Sequence, residues 1–192
     1  MNRIDAAALD SARGKEGLTT TIERFRFFNE VLVWHAHGEE IAVFPVLDKV
    51  APLVAEAYLK DHRGLDLAYD TLSQSYSARD LLQTARATAA FRFHLKIHLD
   101  KEDTHLYRIF RERVPLAEQA KAVGILASQI PQESFPEFVA WMFPLMGNDD
   151  RENMIRIMQA VIPATDFNGA KELIKKAVGN DWDELAHRIP TL

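Results

Sequence analysis

The sequence contains no cysteine. That removes disulfides, thiolate metal sites, iron–sulfur clusters and cysteine nucleophiles together, and it leaves the redox compartment unread. Glycine and proline are scarce, at 8 each in 192 residues, so collagen-like repeats and low-complexity linkers are excluded. No apolar run reaches the roughly 18 residues that a membrane-spanning helix needs. Met1 to Gly17 carries Asp5, Asp10 and Glu16 and has no apolar h-region, so no secretory signal is visible, and a cytoplasmic protein is the expectation. Basic residues are outnumbered, 23 Lys and Arg against 28 Asp and Glu, for a net charge of −5. Without a basic stripe, neither nucleic acid nor a membrane is an expected partner. No G-x-S-x-G and no phosphate loop occurs, which leaves nucleophilic hydrolase chemistry without support.

What is present is ordinary globular composition, 47% hydrophobic and 27% charged, enough to bury a core. Strand signals are few and helical periodicity is strong. The pattern predicts a short helix over about Arg3–Ala12, a long one from about Thr19 to Leu47, a third from Pro52 to about Leu72, and a fourth from Ala78 to Arg113, where Val114-Pro115 stops it. Pro131, Pro136, Pro144 and Pro163 then divide the tail into short pieces. Asp149-Asp150-Arg151-Glu152 and Asp181-Trp182-Asp183-Glu184 both read as helix starts. The expected organisation is a bundle over 1–114 and a helical extension of the same domain over 115–192, its Phe135, Phe138, Trp141, Phe143 and Trp182 supplying apolar area to pack on the bundle. No internal repeat is evident.

The seven histidines are unevenly spread, six of them falling between 35 and 105. In the second helix the inward stripe reads Phe28, Leu32, His35, Glu39, Ala42 and Val46. In the third it reads Tyr58, Leu59, His62, Leu65 and Tyr69. In the fourth it reads Phe91, His94, Leu95, His98, Glu102, His105, Leu106 and Ile109. A single inward histidine such as His62 is ordinarily a satisfied core residue. Three helices carrying imidazole inward, two of them with a carboxylate one turn on, are another matter. A buried carboxylate without a partner costs several kcal/mol or takes up a proton. Cations held between the helices account for both Glu39 and Glu102, and bundles build metal sites in this way. With no thiolate, the donor set suits Fe, Mn or Zn.

These residues also resemble a known family. Trp34-His35-Ala36-His37-Gly38-Glu39-Glu40-Ile41-Ala42-Val43-Phe44-Pro45 is similar to the second-helix motif of hemerythrin-like (HHE cation-binding) domains. Asp61-His62-Arg63-Gly64 resembles their third-helix motif, and His98-Leu99-Asp100-Lys101-Glu102-Asp103 their fourth. Phe25-Arg26-Phe27-Phe28 and the segment from Phe138 to Met154 are similar to the hemerythrin-like domains of plant iron-sensing ubiquitin ligases. The resemblance covers about residues 20–160. It implies an all-α fold, an up-down four-helix bundle with additional short C-terminal helices packed on it, holding two non-heme irons. By that likeness His35, His62 and His98 are terminal ligands, Glu39 and Glu102 are bridging carboxylates, and a diatomic such as O2 or NO is the expected partner. Binding or sensing is expected rather than enzymatic turnover.

The family also places a ligand histidine on its first helix, and this chain has none before His35. Met1–Ala12 resembles the latter part of that helix. Either the true start lies upstream, or another side chain takes the position (His94, one turn before His98, is the best candidate), or the site holds one metal or none. His37 and His105 are read as outer or surface residues. Phe28, Leu32, Phe91 and Leu95 are expected to wall the pocket. Ligand histidines must be neutral, so metal loss on acidification is expected.

Two other readings compete. A ferritin-like di-iron oxidase needs Glu-x-x-His on two helices, and Glu102 with His105 and Glu184 with His187 have that spacing. A metal-free interaction module would use the buried His and Glu as a polar network and present Trp141, Met142 and Phe143 to a partner. Either a monomer or a homodimer is compatible with the acidic surface.

Overall fold

The computed structural model describes residues 6, 8–10, 12–13 and 19–192. The backbone at 6, 8–10 and 12 is helical and Ala8 is buried; the rest of the expected first helix lies outside the described residues. Helix α1 (Thr19–Gly38) passes into a π turn (Glu39–Val43) and continues as α2 (Phe44–Val50). Helix α3 (Val54–Ser77) returns antiparallel. Helix α4 (Leu81–Lys101), capped by the Asp80 carboxylate on the Gln83 amide, passes into a second π turn (Glu102–Leu106) and continues as α5 (Tyr107–Arg113). Helix α6 (Leu116–Ala127) follows Pro115. Thereafter come α7 (Phe135–Met142), α8 (Asn148–Val161), α9 (Ala164–Val178) and α10 (Trp182–Arg188). No strand occurs among the described residues, and the all-α expectation holds.

The chain divides into two compact units, Met1–Leu126 and Ala127–Leu192. The division falls at the last residue of α6, whose Ala122 is buried with Leu106, Phe110 and Val114. In the first unit two apolar clusters form. One gathers Phe25 of α1, Leu72 of α3 and Ala87, Phe91 and Leu95 of α4. The other gathers Ala42, Val43, Phe44, Leu47 and Ala51 with Ala55 and Tyr58 of α3 and Leu106, Phe110 and Val114. Along each of the three long helices the residues between these clusters are Glu39, His62, and His98 with Glu102, all buried. The polar set therefore sits between two greasy layers, with its own helices running through both.

The second unit has a core of its own, Val139, Phe143, Ile155, Ile174, Leu185 and Ile189 among them. Phe143 is fully buried there, which withdraws it from any exposed partner surface. Asp181, expected to cap α10, makes no side-chain cap bond and instead accepts from the buried Arg151 guanidinium at 2.6 Å.

Candidate metal centre

Each element delivers its donors for a local reason. On α1, His35 and Glu39 stand one turn apart, and Glu39 opens the π turn. On α4, His98 and Glu102 repeat the arrangement, and Glu102 opens the second π turn. A π turn inserts one extra residue into the helix, a distortion that recurs at functional sites. On α3, His62 lies on the stripe that runs Ala55, Tyr58, His62, Leu65, Tyr69 and Leu72.

All three imidazoles aim Nε2 at the carboxylates. His98 Nε2 lies 2.7 Å from Glu102 Oε1. His62 Nε2 lies 3.4 Å from Glu39 Oε2 and 3.9 Å from Glu102 Oε1. His35 Nε2 lies 3.3 Å from Glu39 Oε1 and 3.9 Å from Glu102 Oε2. One donor atom each from Glu39, His62, His98 and Glu102 falls within 4.8 Å of the others. Four buried atoms, Glu39 Oε2, His62 Nε2, His98 Nδ1 and Glu102 Oε1, make no well-aligned hydrogen bond; for Glu102 Oε1 this holds despite His98 Nε2 at 2.7 Å, an ion-pair distance. Leaving a buried polar atom unpaired costs about 1–3 kcal/mol. Three of those four belong to the convergent donor set, and a cation among them satisfies all three at once. The residues fit a metal.

Without a cation, protons balance the charge. Burial pushes His35 down, but the Glu102 and Glu39 carboxylates outweigh it and raise His35 to about 10. Burial likewise opposes His62, which Glu102, Glu39 and Glu40 bring to about 10. Burial would raise Glu102 and Glu39; the facing histidines hold both below the usual carboxylate range instead.

Around the donors stand Tyr107 and Phe44, which the helical stripes did not single out, and Tyr58, which they did. The Tyr107 hydroxyl donates to Glu39 Oε1. Phe44 stacks on the His62 ring at 5.3 Å between centroids. Tyr58 donates to the Lys101 carbonyl at 2.9 Å and turns its ring edge to His98. A signal for Phe44 and Tyr107 was available: His-x-x-x-Glu-x-x-x-x-aromatic occurs twice, as His35, Glu39, Phe44 and as His98, Glu102, Tyr107. In both copies the aromatic residue immediately follows the π turn.

A cavity of about 300 Å³ reaches the centre between α1, α3 and α4. Leu32, Leu65, Phe91 and Leu95 line it, with His35, His62 and His98 at the same wall. Phe28 packs against the apolar cluster of Phe25 and Phe91. His35 is the most accessible of the donors, its side chain 36% exposed. His94 is exposed beside Phe93 and is not brought to the donor set, and His37 and His105 are exposed as well. Of the ferritin-like spacing, only Glu102 joins the cluster; Glu184 is exposed and pairs with Arg188 at 3.3 Å. Among the described residues, no helix is long and apolar enough to cross a membrane.

Comparison with known proteins agrees with this geometry. The family model for the hemerythrin HHE cation binding domain matches residues 1–107. The chain is 25% identical over 170 residues to "Zinc finger protein BRUTUS" of Arabidopsis thaliana, covering 85% of this chain and 14% of that protein. It is 22% identical over 171 residues to "Zinc finger protein BRUTUS-like At1g74770" of the same plant, covering 84% and 14%. The chain thus spans about one-seventh of the length of these relatives. No solved structure is significantly similar to it.

Proposed function

The chain belongs to the hemerythrin HHE cation-binding family, and from that premise we propose that it holds two non-heme irons and uses them to bind or sense O2, NO or iron itself. The observation that carries this reading is the set of buried, unpartnered donor atoms on Glu39, His62 and Glu102, convergent with His98. In this reading His35, His62 and His98 are terminal ligands and Glu39 and Glu102 bridge. Imidazole with carboxylate accepts iron, manganese or zinc, so iron is selected by supply and by the number of donors. Three imidazole nitrogens and two carboxylates would leave bound ions room for a small exogenous ligand, and the cavity reaches the same three histidines.

The chemistry such a pair of ions supplies is reversible binding of a small exogenous ligand. The protein's own part is to exclude bulk water with Leu32, Phe91 and Leu95, to hold Glu39 in place through the Tyr107 hydroxyl, and to keep each imidazole aimed by its Nε2. These acts are those of a binding or sensing module. His94 is exposed and is not among the donors that converge here.

Elemental analysis of untagged, gel-filtered protein from iron-supplemented cells tests the reading. About two irons per chain supports it. About one iron reduces it to a mononuclear site. A folded protein that neither retains nor takes up iron, manganese or zinc overturns it.

A further inference from the structure

Behind two of the three imidazoles stands a second carboxylate, and the two pairs are not alike. His62 Nδ1 lies 2.9 Å from Glu40 Oε1, a hydrogen bond that fixes the proton on Nδ1 and leaves Nε2 as the donor toward the centre. The other Glu40 oxygen is 3.7 Å from the Arg63 guanidinium. Behind His98 stands Asp61, whose Oδ2 is 3.7 Å from His98 Nδ1, beyond hydrogen-bond reach. That same oxygen accepts from the Lys101 ammonium. His98 Nδ1 is left buried and unpartnered.

We propose that His62 and His98 are unequal metal ligands, His62 strengthened by Glu40 and His98 held weaker because Lys101 draws Asp61 away from it. The inference rests on the metal-binding reading above. A ring N–H donated to a carboxylate makes the opposite nitrogen more basic and fixes the ring's orientation, and loss of such a partner ordinarily costs 10–100-fold in metal affinity. Glu40 supplies that partner to His62. Asp61 is placed to supply it to His98 and is engaged elsewhere. Glu40 and Asp61 act through the imidazoles and touch no metal, so they are positioning residues. Both are partly exposed, at 23% and 29%, which makes them adjustable without disturbing the apolar layers.

Calorimetric titration of the chelator-stripped full chain with Zn2+ alone tests this, with circular dichroism confirming the fold of each variant. Glu40→Gln is expected to weaken the tightest binding step by about 10–100-fold. Asp61→Asn alone is expected to stay within about threefold of the parent, since Asp61 gives His98 nothing to lose. Lys101→Met, which keeps a side chain of similar length while removing the ammonium that holds Asp61 and lies 5.5 Å from the Tyr58 ring centroid, is expected to tighten Zn2+ several-fold by releasing Asp61 to His98. The double variant Lys101→Met with Asp61→Asn is expected to lose that gain. Should Glu40→Gln not fold, Glu40→Asp carries the same test with a smaller loss. Equal losses from Glu40→Gln and Asp61→Asn, or no gain from Lys101→Met, overturn the inequality and leave the metal reading standing. A parent chain that takes up no Zn2+ overturns the inequality, and one that takes up none of zinc, manganese and iron overturns the metal reading with it.

Discussion

Tyr107 shows how much of the centre depends on a single contact between helices. Its hydroxyl donates to Glu39 Oε1, and burial, followed by the nearby Glu39 carboxylate, raises the phenol well above its ordinary value, so it stays a donor at any working pH. Tyr107→Phe leaves a fully buried carboxylate without that donor, at a cost of about 1–3 kcal/mol in the metal-free protein. Metal loading should recover part of the loss, because the cation then takes up the same charge. Melting of parent and variant, each with and without Zn2+, reads both effects, and an equal deficit in the two states would contradict the assignment. The histidines give a pH dependence of definite sign. His35 and His62 titrate near 10 in the folded metal-free chain against 6.5 unfolded, so their contribution is complete below 6.5 and lost as pH rises through 10. Glu39 and Glu102 are lowered from 4.5, so theirs is present above 4.5 and lost on acidification. Chelated protein should therefore melt lower at pH 9.5 than at pH 6; the reverse order would rule out the imidazolium–carboxylate cluster. At this scale His35, Glu39, His62, His98 and Glu102 were legible, since each sits on an inward stripe that its own helix defines. The roles of Glu40 and Asp61 were not, because they depend on partners 22 and 37 residues away across a helix interface; Tyr107 was marked by the repeated His–Glu–aromatic spacing, but its partner Glu39, 68 residues away, was not.

Among the helices, the phase of the two π turns explains where the stripe reading succeeded and where it slipped. On α4 the buried seam runs Thr84, Thr88, Phe91, Leu95, His98, Glu102 in alternating steps of four and three. His94 lies on the flank of that seam and is exposed, although it stands one turn from His98. Beyond Glu102 the regular stripe reads His105, Leu106 and Ile109; with the extra residue of the π turn Leu106 stays buried, full burial passes from Ile109 to Phe110, and His105 faces solvent. The same shift beyond Glu39 buries Leu47 and Ala51 where the unbroken stripe pointed to Val46. No residue type marks a π turn in sequence, so helix type and length were readable and the phase after each carboxylate was not. Two substitutions probe the connections. Leu53, between α2 and α3, has φ of 70° and is 75% exposed. Left-handed backbone costs a non-glycine residue about 1–2 kcal/mol, part of which glycine forfeits in unfolded-chain entropy. Leu53→Gly should stabilise by about 0.5–1 kcal/mol in urea unfolding, and a destabilised variant would show that the turn is held by contacts of the leucine itself. At Gly38 a Cβ would stand 2.9 Å from Leu126 Cγ and 3.0 Å from its Cα, so α6 must move to admit it. Overpacking costs about 1–3 kcal/mol, more than the roughly 1 kcal/mol that alanine gains in a helix. Gly38→Ala should therefore melt lower, and an unchanged melt would mean that α6 yields freely.

For the whole molecule, the question is where metal linkage is felt. The donors all lie in the unit Met1–Leu126, between its two apolar clusters, while Ala127–Leu192 carries a separate core of Phe143, Ile155, Ile174 and Leu185. A ligand that binds only the folded state stabilises it by an amount that grows with the ratio of free concentration to Kd, about 4 kcal/mol at a thousandfold excess over Kd. That stabilisation belongs to whichever segments must be ordered for the donors to converge. Helices α1, α3 and α4 with the π turns that continue α1 and α4 carry the five proposed donors, so opening any of them would release a bound metal, whereas opening α9 or α10 moves no donor. Native-state hydrogen exchange resolves such local stabilities. Zn2+ is expected to slow exchange most in the peptides spanning Glu39–Val43 and Glu102–Leu106, where the distorted backbone hydrogen bonds of the π turns flank the carboxylates. It should slow exchange less along α3, through His62, and leave the peptides of α9 and α10 at their metal-free rates. Protection that rose equally in both units would mean that they open as one cooperative body. Protection confined to α8–α10 would place the cation elsewhere and remove Glu39 and Glu102 as its ligands.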